Sequence, residues 1–342
     1  MPLYCCLSLL FSAFQVPKMT LFGGIYPFYP QPRKPVVFDI NLVIVIVVFL
    51  VIAFSFLLIL PGIRGRARLY WLFRVIISLF IGGVIVAVHF SSDWQSGTVK
   101  ANTTYKSFSS AFVDVDVGVH IGLSGVNITL VGNPVEQLNE TIDYNEYFPW
   151  WFGANYDHEY DEGLHQGLPN PILYVAETFS GNSPCGLHSL YRMAGHYASA
   201  TLWVAFCAWL VSNLLFSMPV PVYGGYMILV TGAFLIFALL SFATVRNAPA
   251  CIIQFGHASL EAAYGASFWL TLFTGLLCFL IGAVVIAASY ASPDLLKAFF
   301  DLCEEEEEEE KDGLEDVYVN PHFPHLRKIS PHHSFSLTVK NS

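Results

Sequence analysis

The chain has 342 residues, of which 55% are hydrophobic and only 12% charged, and its formal net charge is −10. Soluble domains carry about 25% charged residues, so this composition points to a membrane protein, and an acidic chain with no basic cluster excludes a nucleic-acid partner. Seven cysteines without a C-x-x-C pair exclude a disulfide scaffold or a structural zinc site.

Residues 1–37 read as an extension and an arm. Cys5 to Phe14 is apolar, but no basic residue precedes it, which makes a poor signal peptide, and Met19 offers a second start. From Met19 to Pro35 the chain is rich in Pro, Gly and aromatic residues, as non-helical segments are. Ile40 to Leu60 carries no charge except at its margin, Asp39. About 20 apolar residues at 1.5 Å each cross the hydrocarbon, so a first span is expected over 38–60, stopped by Pro61-Gly62. The connection 61–72 holds Arg64, Arg66 and Arg68 and no acid, and short basic loops stay cytoplasmic. A second span follows over 73–92. It contains Ser78/Gly82 and Gly83/Ala87, pairs suited to close helix contact, and Trp71 and Trp94 are expected to bracket it at the membrane interfaces.

Residues 93–196 are the one long polar, foldable stretch. Ser91 to His196 holds twelve acids against Lys100, Lys106 and Arg192, the opposite sign to the arginine loop. It also holds three acceptors of the N-x-[ST] type, at Asn102, Asn127 and Asn139. Such acceptors work only in the secretory lumen. Val113, Val115, Val117, Val119, Ile121 and Leu123 alternate with small or polar residues, the period of a half-buried strand. Ser124-Gly125 is a turn candidate, and Val126, Ile128 and Leu130 continue as a second strand with Asn127 on its polar side. Ala154 to Gln166 and Pro171 to Phe179 read as short helices, the second with Pro in its first turn.

No Asp, Glu, Lys or Arg lies between Arg192 and Arg246. Met218-Pro219-Val220-Pro221 divides this run into spans at 197–217 and 223–245, joined by a loop at 218–222. The loop 246–264 leads to a fifth span at 265–291. The tail, 292–342, carries seven consecutive glutamates from Glu304 and cannot bury apolar surface, so disorder is expected there. Five spans place the amino end outside and the tail in the cytoplasm, with Arg33 and Lys34 outside against the usual charge rule.

Nothing in this sequence reads as an enzyme. There is no G-x-G-x-x-G, Walker loop, G-x-S-x-G or H-E-x-x-H, and the spans lack the ionisable residues of transport paths. A haem would need paired axial ligands at matched depth, for which His89 and His196, both near the same ends of their spans, are the available pair. No second pair exists for the cytoplasmic side. Cys185 and Cys251 both fall in the oxidising compartment, where they can bond to each other or to cysteines of a partner.

The chain resembles the dual oxidase maturation factors from Met19 to about Leu302. The resemblance rests on L-P-G-I-R-G at 60–65, G-V-N-I-T-L at 125–130, Q-L-N-E-T-I-D-Y-N-E at 137–146, G-L-P-N-P-I-L-Y at 167–174, S-P-C-G-L at 183–187 and A-G-H-Y-A-S-A-T-L-W-V-A-F at 194–206. It implies a fold of five transmembrane helices, mainly α: a claudin-like four-helix unit plus one extra N-terminal helix, with an extracellular β-sheet domain between helices 2 and 3. It implies a non-enzymatic subunit without cofactors. The partner would be a dual oxidase, an NADPH oxidase that releases hydrogen peroxide, in a heteromeric complex of the endoplasmic reticulum and plasma membranes. It also links cysteines at the positions of Cys185 and Cys251 to covalent contact with the oxidase. The competing expectation is a claudin-like adhesion or junction protein.

Overall fold

In a computed structural model the described residues are 40–59, 67–107, 109–151, 153–181, 183, 186–217, 221–247, 253–256 and 258–291. Residues 1–39, the core of the arginine loop and the glutamate-rich tail lie outside them. Five helices are long and apolar enough to cross a membrane: α1 (Ile40–Ile59), α2 (Ala67–Phe90), α5 (Leu187–Phe216), α6 (Pro221–Ala243) and α7 (Ala266–Ala291). Between α2 and α5 lie strands β1 (Gln95–Thr104), β2 (Phe112–Ile121), β3 (Gly125–Gln137) and β4 (Glu140–Pro149), then short helices α3 (Tyr156–His165) and α4 (Asn170–Thr178). Three short strands separate α6 from α7: β5 (Ile253–Phe255), β6 (Ala258–Leu260) and β7 (Ala263–Tyr264).

α2, α5, α6 and α7 close into a four-helix ring, with α2 touching both α5 and α7 and the other neighbours packed in sequence. Helices cannot associate in lipid by hiding apolar surface, because the tails are as apolar as they are. Close van der Waals packing and interhelical hydrogen bonds hold them instead. Both are visible here. Gly82 of α2 leaves room for the indole of Trp209 on α5, where a Cβ would collide with the ring. That indole donates through Nε1 to the Ser78 carbonyl at 3.0 Å, and the Ser78 hydroxyl donates to Asn213 Oδ1 of α5 at 2.5 Å. Between α6 and α7 four glycines face one another in antiparallel register. A Cβ at Gly282 would sit 3.0 Å from the Gly225 carbonyl oxygen, and one at Gly232 would sit 3.1 Å from that of Gly275. The backbones therefore meet directly at two levels, seven residues apart on each helix.

α1 stands apart. None of its residues in the 41–58 window is buried, and it packs against α2. Gly83 receives Phe49, and Phe56 meets Trp71 edge-on with ring centroids 5.9 Å apart. The two neighbouring glycines of α2 thus serve opposite partners, Gly82 the bundle and Gly83 the outlying helix. Replacing Gly83 by leucine is expected to displace Phe49 and loosen α1 while sparing the bundle. Cysteines placed at Phe56 and Trp71 should then lose severalfold in yield with a short bifunctional thiol reagent, with thermal unfolding moved by only ~2 °C. Unchanged crosslinking would show that α1 is held elsewhere.

The sheet runs β4-β3-β2-β1-β7, antiparallel throughout. The expected hairpin is present as β2 and β3, with Val117 opposite Leu130 and Val119 opposite Ile128. Its fifth strand comes from the α6–α7 connection, so the sheet is closed by chain from beyond the α2–α5 segment. One face carries Val113, Val115, Val117, Val119, Ile121, Val126, Ile128, Leu130 and Ile142, all fully or nearly fully buried. The short helices α3 and α4 cover this face with Tyr156, Ile172, Val175, Ala176 and Phe179.

Candidate functional site

The part of the molecule with the polar surface and built geometry to recognise something is the sheet domain, and its value depends on how firmly it is mounted. Trp94, where α2 passes into β1, is wholly buried. Its Nε1 donates to the Val88 carbonyl at 2.8 Å, and its ring lies 5.0 Å from that of Phe242 on α6. Phe242 also meets Tyr191 of α5, which stacks on Trp150 at 6.0 Å and donates its hydroxyl to Gln95 Oε1 at 2.7 Å. Trp150 in turn donates to the Leu123 carbonyl at 3.0 Å and packs on Phe179. One aromatic cluster thus joins bundle, sheet and short helices. α5 makes this possible because it is helical from Leu187, nearly two turns before its uncharged run begins at Met193. Backbone bonds from Gly265 to Trp94 and from Ser267 to Asp93 tie in the start of α7.

The face of the sheet away from α3 and α4 is polar. Across the strands it presents Ser96, His120, Asn127 and Tyr147 in one row, and Lys100, Asp116, Val131 and Asp143 in another. His120 Nδ1 lies 2.8 Å from Asp93 Oδ1. Lys100 reaches Asp116 at 4.0 Å with both side chains well exposed, an arrangement worth little in water. Burial holds the Asp143 carboxyl above the usual carboxylate range. On the covered side Tyr105 shares a 2.8 Å hydroxyl contact with Tyr144 while Lys106 sits over its ring and pairs with Glu140. Burial first, then the Tyr144 hydroxyl, raise its pKa well above the ordinary phenol value. Tyr156, raised by burial, donates to the Ala176 carbonyl at 2.8 Å. These phenols are neutral structural donors.

The three glycosylation acceptors separate by position. Asn102 on β1 is exposed, and its Nδ2 donates to Asp114 Oδ1 across the strand pair. Asn127 on β3 is half-buried on the same polar face, with its Oδ1 sheltered and without a hydrogen-bond partner in the described structure. Asn139 is exposed in the β3–β4 turn at φ 61°, next to Leu138 at φ 54°. Two positive φ values in a two-residue hairpin loop are normally a job for Asn-Gly. Leucine there is strained, which is why the sequence carries no turn signal at this point.

Cys185 and Cys251 lie outside the described residues. Cys207, exposed on α5, and Cys278, buried on α7, are free thiols. His89 and His196 do not come together as a ligand pair: His89 meets Ser199 Oγ at 3.4 Å and the Trp203 ring at 5.0 Å, whereas His196 is exposed beside Tyr197. One grouping of possible metal ligands stands among the described residues, His158, Glu159 and Glu162 on α3, with donor atoms within 4.8 Å of one another. It belongs to an acidic helix, and Gln166 Nε2 donates to Glu162.

A family model described as "Dual oxidase maturation factor" matches residues 28–304. The chain is 54% identical over 303 residues to dual oxidase maturation factor 2 of Homo sapiens, covering 89% of this chain and 95% of that one. It is 49% identical over 325 residues to dual oxidase maturation factor 1 of Mus musculus, covering 95% of each. Dual oxidase maturation factor 1 of Caenorhabditis elegans is 31% identical over 271 residues, 74% of this chain and 66% of that one.

Proposed function

This chain belongs to the dual oxidase maturation factor family, and on that premise we propose that it is a non-enzymatic partner subunit of a dual oxidase. It brings the oxidase out of the endoplasmic reticulum, accompanies it to the plasma membrane and so permits hydrogen peroxide production. The observation that carries this reading is the aromatic cluster of Trp94, Phe242, Tyr191, Trp150 and Phe179, which fixes a polar folded domain to an apolar bundle. An oxidase with a large ectodomain must be held at two places. A rigid subunit that binds in the membrane and above it turns the second contact into an intramolecular one, at an effective concentration in the millimolar range for short connections.

In this reading the ring of α2, α5, α6 and α7 is a claudin-like unit and α1 an added helix. The sheet domain lies in the lumen and later outside the cell, the amino end lies on the same side, and the tail is cytoplasmic. Asn102, Asn127 and Asn139 carry glycans, and Cys185 and Cys251 form lumenal disulfides, with each other or with the oxidase. The sign of the arginine loop and the position of the acceptors support this orientation.

Co-expression with a dual oxidase should raise surface oxidase and extracellular peroxide together, each at least severalfold over oxidase alone. Non-reducing gels should show an oxidase-containing band that Cys185→Ser or Cys251→Ser removes if the bond is intermolecular. Unchanged surface oxidase would sink the proposal and leave claudin-like adhesion in its place.

A further inference from the structure

We draw no further inference here: the strongest candidate, the apolar groove between α2 and α5 lined by Ile85, Val86, His89, Leu202, Trp203 and Phe206, carries nothing because nothing in the structure shows what covers it.

Discussion

Replacing Trp94 by alanine should uncouple the sheet domain from the helix bundle. The side chain is wholly buried, donates to the Val88 carbonyl and packs on Phe242. Truncating a buried aromatic costs about 3–5 kcal/mol, and the orphaned carbonyl adds ~1–3 kcal/mol. Against a typical stability of roughly 5–15 kcal/mol, that is a large fraction. In detergent micelles the purified variant should melt on the order of 10 °C below the parent, and in cells it should be retained. Trp94→Phe, which keeps a ring and loses the donor, should show a fraction of this. If the alanine variant melts within about 2 °C of the parent, sheet and bundle are independent and the mounting argument fails.

The glycine seam gives the second large effect, and there the sign is diagnostic. In an open helix Gly→Ala stabilises by roughly 1 kcal/mol. At Gly282 the new methyl would meet Leu229 at 2.7 Å and the Gly225 carbonyl at 3.0 Å, and overpacking of that kind costs about 1–3 kcal/mol. Gly282→Ala should therefore lower the melting temperature, and Gly282→Leu should part α6 from α7 and abolish surface delivery. Gly225→Ala should behave alike, and the two alanines together should cost less than their sum, because the first already forces the helices apart. A rise in melting temperature for either alanine would mean that the helices do not touch there.

What was legible in the sequence follows from where the physics is local. The spans showed because length and charge alone decide whether a helix can cross a bilayer. β2 and β3 showed because both carry one strictly apolar side, buried from Val113 to Leu130. β1 did not, since only Val99 and Ala101 among its ten residues are both apolar and buried. β4 is mostly polar and enters through an unsignalled turn at Leu138-Asn139. The facing of the glycines at 225, 232, 275 and 282 was not legible, because register between two helices is not written in either one. The burial of Trp94 was not legible because its cover comes from Phe242, nearly 150 residues away in the sequence. Asn102 and Asn127 were readable as acceptors, whereas their shared face required the pairing of three strands.

The strand β7 has a consequence in time. It supplies the neighbour that β1 lacks on its outer side, pairing Tyr264 with Gln95 and Ala263 with Ser96, yet it is made long after β1 to β4. At ~5–20 residues per second, roughly ten seconds of synthesis separate the end of β4 from the arrival of β7. Throughout that interval part of the β1 edge lies open, and an unpaired edge invites another strand. Insertion of the last helix therefore both completes the bundle and follows directly on the closing of that part of the β1 edge.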